Sequence, residues 1–84
     1  MTSETRAFQD FPRITVNPAV MTGKPCIRGM RVTVGMILGN IGADVSVERL
    51  PEVYPYIELA DVLEAIRLGA WLASDRYVSL EPAA

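Results

Sequence analysis

The sequence predicts a mainly α protein, a three-helix bundle with a small N-terminal β-hairpin. Three observations support this fold class. Apolar residues recur at helical spacing in three stretches that begin near residues 34, 47 and 58. Before them, residues 13–16 alternate polar and apolar side chains like a short strand, and residues 25–28 can return as its partner. A chain of 84 residues has room for one hydrophobic core, so these elements should form a single domain.

The two ends of the chain are expected to lie outside this domain. Residues 1–12 are polar apart from Phe8 and Phe11 and predict a flexible arm, while residues 79–84 predict a tail. The trihelical domain, hairpin included, then covers residues 13–78. The chain begins without the basic and apolar regions of a signal peptide, and its apolar runs are too short to cross a membrane. We therefore expect a soluble, cytoplasmic protein with no membrane contact.

A segment that we call the basic loop, residues 23–34, has the most distinctive composition of the chain. It contains two glycines, one proline and the three cations Lys24, Arg28 and Arg31. Glycine gives the backbone conformations that other residues avoid, and proline fixes φ, so this sequence predicts a shaped loop or a tight hairpin. Its apolar side chains should anchor inward while the cations stay in solvent.

The first two helices are predicted from their caps and their apolar spacing. Thr33 is a good N-cap for the first helix, which should end near residues 42–44. The buried stripe of this helix is predicted to be Val34, Ile37, Leu38 and Ile41. Ser46 should cap a second, short helix. Because Pro51 falls inside it, we expect a kinked or partly 3₁₀ segment.

The third helix is predicted from about residue 58 to residue 77. At 100° per residue one face of this helix is apolar and should face the core, namely Leu59, Val62, Leu63, Ile66, Ala70, Ala73 and Tyr77. The carboxylates Glu58, Asp61 and Glu64 lie on the other face, where a solvated surface is favoured over a metal site.

Three large apolar residues of the third helix, Leu68, Trp71 and Leu72, project onto its nominally polar side. The second half of the helix should therefore be buried on two sides. Either the N-terminal arm covers these residues through Phe8 and Phe11, or they form an oligomer or partner interface. We favour the interface, which together with strand pairing makes a homodimer the expected state.

Charge is distributed unevenly along the chain. Residues 11–43 contain four basic residues and no acid, whereas residues 44–84 contain eight acids and three arginines. This asymmetry predicts two surfaces with different partners, or head-to-tail self-association. The basic surface would be formed by Arg13, Lys24, Arg28 and Arg31, which are the residues expected to contact a protein or nucleic-acid partner.

The side chains that most catalysis requires are missing from the sequence. The chain has no histidine and a single cysteine, Cys26, so it can form neither a Cys–His pair nor an internal disulfide. The neighbouring cations could lower the pKa of this thiol, but a small buried side chain is the favoured interpretation. The spacing around Gly23 and Lys24 is not that of a phosphate-binding loop. We expect no enzymatic activity, no metal and no cofactor.

A short second helix that turns sharply into a longer third helix is typical of helix-turn-helix and homeodomain-like proteins. That layout would make the third helix the reader of DNA. Its first turns, however, carry three acids and no cation before Arg67, and phosphates would repel them. DNA, if bound, should therefore contact the basic residues of the hairpin and loop.

The sequence resembles the domain of unknown function 433 family. The matching pattern runs over residues 14–18 and the basic loop, then continues through Ser46-Val47-Glu48, Tyr54-Pro55 and Asp61-Val62. Asp44 stands where a helix-ending glycine is usual in this family. The resemblance implies a three-helix, homeodomain-like fold with a small β element. It also implies an antitoxin, typically paired with a PIN-like nuclease toxin and sometimes with operator DNA.

The resemblance and the charge map lead to one functional hypothesis. PIN-like nucleases hold Mg²⁺ in a carboxylate cluster, and the cations of a stiff loop could occupy that cluster. We therefore expect an antitoxin-type interaction module that neutralises a PIN-like nuclease and binds operator DNA for autoregulation. On this hypothesis Arg28 and Arg31 are dispensable for folding and needed for inhibition. The alternative is a stand-alone helix-turn-helix-like DNA-binding transcriptional regulator.

Overall fold

A three-stranded antiparallel sheet packs against three helices in the computed structural model, which describes residues 5–74. The elements in chain order are β1 (Arg6–Phe8), β2 (Phe11–Val16), β3 (Cys26–Ile27), α1 (Val34–Gly42), α2 (Leu50–Val53) and α3 (Leu59–Ser74). The strand order in the sheet is β1-β2-β3, so β2 is central. The predicted C-terminal tail and the predicted end of the third helix at residue 77 lie outside the described residues.

The predicted mainly α fold, a three-helix bundle with only a β-hairpin, is wrong. The sheet has three strands, and the second helix has only four residues. The additional strand, β1, comes from the segment predicted to be a flexible arm. Phe8 and Phe11 explain this placement, because both rings lie against Trp71 and hold the segment beside β2.

The two strands predicted from the sequence are present and pair as expected. Ile14 of β2 lies opposite Ile27 of β3, and both side chains are completely buried. On its other side β2 pairs with β1, with an irregularity between Ala7 and Phe8. The sheet therefore presents Ile14 and Ile27 to the helices, and these two residues form the sheet side of the core.

Helix α1 begins and ends where its sequence predicts. The Thr33 hydroxyl accepts a hydrogen bond from the Met36 N–H at 3.0 Å, which confirms the N-cap. The helix closes at Gly42, and Asp44 just beyond it has a left-handed φ of 75°. The predicted stripe faces the core, with Val34 and Ile37 buried and two further residues packed beside them, Leu38 and Ile41.

The second helix is short because of Pro51. A 3₁₀ turn over Val47–Arg49 leads into α2, so Pro51 falls in the first turn of the α-helix, where its missing N–H has no intrahelical partner to lose. The predicted partly 3₁₀ segment is thus confirmed. Ser46 makes no side-chain capping bond, however. Leu50 is completely buried and anchors the segment to the core.

The predicted core face of α3 is correct at Val62, which is buried, and at Ile66, which packs against the core, but it is wrong at its other described positions. Five α3 residues are buried, namely Asp61, Val62, Glu64, Ala65 and Leu68. Leu59 and Leu63, both predicted to be buried, are 44 % and 43 % exposed. The helix carries apolar residues on two sides, and hydrophobic spacing alone cannot choose between them. The side that packs inward carries Asp61, which binds the side chains of Arg13 and Arg28, and Glu64, which accepts a hydrogen bond from the Arg13 N–H.

Helix α3 lies close to α1 at Gly69. A Cβ atom at this position would come within 2.8 Å of the Leu38 Cδ1 atom, so the missing side chain permits the close approach. The completed core consists of Ile14, Ile27, Val34, Ile37, Leu50, Ile57, Val62, Ala65 and Leu68. No helix within residues 5–74 is long and apolar enough to cross a membrane.

Three aromatic rings join β1 to the second half of α3. The ring centroids of Phe8 and Phe11 lie 6.1 and 6.0 Å from that of Trp71, and 6.0 Å from each other. These separations fall in the favourable range for edge-on and tilted aromatic pairs. The N-terminal segment thus covers part of α3, which was the alternative to an interface at Trp71.

Phe8→Ala should loosen β1 and destabilise the protein. We expect the free energy of unfolding to fall by about 1–2 kcal/mol, because the half-buried ring loses both aromatic contacts. The fluorescence of Trp71, the single tryptophan, should shift to longer wavelength as the indole meets water. Tyr56→Ala is the matched control, since Tyr56 is 82 % exposed and should change neither quantity. An unchanged emission spectrum for Phe8→Ala would contradict the assignment.

Candidate functional site

The basic loop folds as a tight hairpin that follows β3. The N–H of Met30 donates to the Ile27 carbonyl at 2.7 Å, and the Ile27 N–H donates to the Val32 carbonyl at 2.9 Å. The two residues at the tip, Arg28 and Gly29, have φ values of 41° and 76°. Positive φ at both central positions is the geometry of a type I′ turn. The predicted shaped loop is confirmed.

Arg28 is an unusual residue for the first tip position. A left-handed φ is strained for a side chain with a Cβ, and glycine would adopt it more easily. The Arg28 side chain compensates by reaching α3. Its Nε donates to Asp61 Oδ1 at 3.0 Å, and its Nη2 donates to Asp61 Oδ2 at 2.9 Å. This two-point contact explains why arginine stands where the backbone alone favours glycine.

Asp61 is the centre of an arginine–carboxylate cluster and is completely buried. Besides Arg28 it binds Arg13, whose Nη1 donates to Oδ1 at 2.9 Å. The backbone N–H of Glu58 donates to Oδ2 at 2.8 Å. Because this N–H lies at the start of α3, Asp61 caps the helix in the manner of a capping box. The carboxylate therefore joins the basic loop, β2 and the N-terminus of α3.

The Arg13 residue ties β2 to α3 through both its backbone and its side chain. Its N–H donates to Glu64 Oε2 at 2.5 Å, and its guanidinium forms an ion pair with Glu58 Oε1 at 2.9 Å. Glu64 is 6 % exposed and also pairs with Arg67 at 3.3 Å. The solvated carboxylate face predicted for the helix is therefore wrong at Asp61 and Glu64, which are buried against arginine and backbone donors.

Burial and hydrogen bonding act in opposite directions on the Asp61 carboxyl. Burial favours the neutral acid and raises the pKa, but the hydrogen bonds from Arg28, from the Glu58 N–H and from Arg13 favour the anion. Together these bonds outweigh burial and hold the pKa of Asp61 below its ordinary value. Asp61 also raises the pKa of both arginines, so the cluster is charged at neutral pH.

The four cations predicted to contact a partner fall into two groups. Arg13 and Arg28 have side chains that are 37 % and 39 % exposed and are engaged by Asp61. Lys24 and Arg31 are exposed, and within residues 5–74 neither has a carboxylate at ion-pairing distance. The Arg31 Nη1 lies 3.9 Å from the Met21 sulfur, its side-chain contact in this part of the chain. Only the second pair is left for an outside partner.

The three residues predicted to form an interface differ in burial. Leu68 is completely buried in the core and cannot contact another chain. Trp71 is 47 % exposed and packs on the N-terminal phenylalanines, and Leu72 is 38 % exposed. Leu68 is therefore removed from the predicted interface.

Cys26 behaves as the small buried side chain that was favoured. It is 3 % exposed, and its thiol donates to the Lys24 carbonyl at 3.3 Å. Burial raises the pKa of this thiol, although the charge of Arg31 acts against it. A protonated, enclosed thiol is a poor nucleophile, so Cys26 is not a candidate for covalent chemistry.

A family model described as "Protein of unknown function (DUF433)" matches residues 14–68, well over half of the chain. The chain belongs to the DUF433 family. No curated protein matches it, and no solved structure matches it. The DUF433 match includes the basic loop, Asp61 and the core, and it stops short of β1 and Trp71. The resemblance seen in the sequence is confirmed at the level of the family.

Sequence reasoning missed Asp61 and Glu64 as partners of the arginines. The signal that could have found Asp61 was the motif itself, since Asp61-Val62 and Arg28 belong to the same DUF433 pattern. An acid and an arginine that both stand in the pattern carrying the resemblance are candidates for a buried pair in one small domain. Their separation of 33 positions along the chain hides the contact from any local pattern.

Asp61→Asn should destabilise the protein in a pH-dependent way. At neutral pH we expect the free energy of unfolding to fall by about 3 kcal/mol, because both arginines lose their buried anion. The folded protein has the lower Asp61 pKa, so below about pH 4 the unfolded chain takes up the proton first. The contribution of Asp61 is complete above that pH and disappears as the pH falls through the folded-state pKa. Unfolding curves from neutral to acidic pH should therefore converge for the two proteins, and a constant difference would contradict the cluster.

Arg28→Gly should also destabilise the fold, although it relieves the strained φ. The lost contacts with Asp61 outweigh the conformational gain, so the melting temperature should fall. Asp44→Gly is the matched control, because Asp44 is exposed with a φ of 75°. Glycine there should be neutral, or stabilising by up to about 1 kcal/mol. Equal effects of both substitutions would show that the Arg28 side chain contributes nothing to the turn.

Proposed function

We propose that this DUF433 protein is an antitoxin-type interaction module that binds and neutralises a PIN-like nuclease. The observation that carries the proposal is that one loop cation binds within the domain and the other two are exposed. Arg28 fixes the turn from within, while Lys24 and Arg31 stay exposed on either side of it. A stiff loop with two cations that make no ion pair within residues 5–74 suits a site rich in carboxylates.

The proposed contact follows from the chemistry of such a nuclease. Its Mg²⁺-binding carboxylates repel one another when no metal is bound, and a guanidinium with two parallel donors can bridge them. Arg31 is the better candidate for this position, with Lys24 as a second point charge. Because internal hydrogen bonds already hold the loop, little conformational entropy is lost when it binds.

A protein partner fits these observations better than DNA does. The first turns of α3 carry the acids Asp61 and Glu64, and two of the four predicted phosphate-contacting cations are engaged by Asp61. Arg67 is the one cation of α3 within residues 59–74, and it is paired with Glu64; the other exposed residues of the described helix are uncharged. Operator binding stays a prediction for this chain, to be measured with the same variants.

Lys24→Ala combined with Arg31→Ala should abolish neutralisation without affecting the fold. The nuclease is obtained by purifying the tagged chain from its native cells and identifying a stoichiometric partner that cleaves nucleic acid. We expect inhibition of that cleavage to weaken at least about tenfold, since each charge-assisted contact contributes roughly 1.5–3 kcal/mol. The melting temperature should stay unchanged, because neither side chain is part of the Asp61 cluster.

A charge-matched control separates a specific contact from a general loss of positive charge. Arg6→Ala combined with Arg49→Ala also removes two exposed cations, away from the basic loop. This control should inhibit like the native protein. Equal inhibition by both double variants would exclude the loop as the contact. Recovery of operator DNA in place of a nuclease, with binding that weakens steeply as salt increases, would exclude the antitoxin proposal.

A further inference from the structure

An open groove runs along strand β1 at the outer edge of the sheet. Within residues 5–74 this strand pairs only with β2, so its other edge has no partner there. The groove has a volume of about 500 Å³, and the consecutive residues 6–10 line it together with Val16 and Trp71. Successive side chains of a strand point to opposite faces of a sheet. A groove lined by a continuous run of residues therefore lies along the edge of the strand, where the backbone can be reached.

The walls of the groove are apolar with a cation at one end. Phe8, Val16 and Trp71 supply apolar surface, and Trp71 is still 47 % exposed with two phenylalanine rings packed on it. Arg6 is exposed and makes no ion pair in the described part of the chain. An open sheet edge binds extended segments through their backbone. A matching occupant is extended, partly apolar, and carries a carboxylate where it meets Arg6.

The sequence supplies such a segment close to the groove. Helix α3 is described to Ser74, three residues after Trp71, so the chain continues about 5 Å along the helix axis from the groove wall. Ten residues of the sequence, 75–84, follow. In extended form they could span about 33 Å, several times the length of the three-residue strand β1. Residues 77–80, which read Tyr-Val-Ser-Leu, are partly apolar and include two strong strand formers, and an acid, Glu81, comes next.

The direction of α3 determines the direction in which this segment can return. Asp61 near the start of the helix lies beside Arg13, and Trp71 near its end lies beside Phe11. Helix α3 therefore runs antiparallel to β2 and, since β1 and β2 are antiparallel, parallel to β1. A chain that turns back at the end of α3 runs antiparallel to β1. Its later residues then reach the end of β1 at which Arg6 lies.

We propose that residues 77–81 add a fourth strand to the sheet, antiparallel to β1 along its open edge. The segment fills the groove, covers the exposed side of Trp71 and pairs Glu81 with Arg6. Residues 75 and 76 form the connection, within the length usual between a helix and a strand. Backbone hydrogen bonds satisfy the outer edge of β1, which otherwise is a template for association with other chains. The added strand uses no residue of the basic loop, so it stands independently of the proposed nuclease contact.

Amide hydrogen exchange of the full chain, followed by NMR, tests for the added strand. With strands on both sides, all three amides of β1 should exchange slowly, whereas a strand paired on one side leaves at least one amide facing solvent. Val78→Pro combined with Ser79→Pro removes two adjacent N–H groups, one of which would face β1. We expect the protection of the outward β1 amide to fall at least about tenfold.

The matched control places two prolines past the proposed strand. Ala83→Pro combined with Ala84→Pro should leave the protection of every β1 amide unchanged. The amides that join β2 to β3 should keep their native protection in both double variants, because neither variant touches that pairing. A fall confined to the outer edge of β1 is the signature of a lost fourth strand, since general unfolding would lower protection in the whole sheet.

Exchanging charges tests the direction of the strand. Arg6→Glu and Glu81→Arg should each lower the protection of the outward β1 amide about twofold to fivefold, the usual size for an exposed ion pair. The two substitutions together should restore it. Arg6→Glu combined with Asp75→Arg is the control, because it reverses an acid on the other side of the proposed strand. This combination should not restore protection.

Each outcome supports or overturns the proposal. Loss of protection with the Val78→Pro and Ser79→Pro pair, and rescue of Arg6→Glu by Glu81→Arg alone, support it. A β1 amide that exchanges in the native protein as fast as in an unfolded chain overturns it. Protection that survives the two prolines also overturns it, and a dependence on protein concentration would then assign the edge to a second copy. Rescue by Asp75→Arg, or by neither exchange, overturns the antiparallel direction.

Discussion

The fold depends on one buried carboxylate. Asp61 is completely buried, and burying an anion costs much desolvation free energy unless hydrogen-bond donors surround it. The donors come from three separate places: the tip of the basic loop, strand β2, and the first turn of α3. Each of these elements is short. None can adopt another position without leaving the carboxylate unsatisfied, so the cluster contributes specificity of arrangement at least as much as stability.

This cluster changes the meaning of the uneven charge along the chain. Basic residues before position 44 and acids after it suggest two external surfaces, but part of that charge is paired inside the domain. Arg13 and Arg28 meet Asp61 and Glu58 across the interface between sheet and helix. What is left for a partner is smaller and better defined. It is a loop whose shape is fixed by one arginine and whose exposed charge comes from Lys24 and Arg31.

The elements that the sequence predicts correctly are those controlled by local chemistry. Thr33 starts α1, Pro51 shortens the second helix, and the turn residues of the basic loop form a hairpin. The failures have a common cause in contacts between distant residues. Strand β1 exists because Phe8 meets Trp71, and the buried side of α3 is chosen by arginines that lie more than thirty positions away. Periodicity identifies an apolar stripe but does not say what covers it.

Helix α3 is an unusual case because both of its stripes are apolar. A helix of a small soluble domain normally presents one such side and solvates the other. Here the inner side includes two carboxylates and is buried nevertheless, whereas the outer side of leucine, isoleucine and alanine is left exposed. The more polar side is buried because its carboxylates are paired, and the more apolar side is therefore left at the surface.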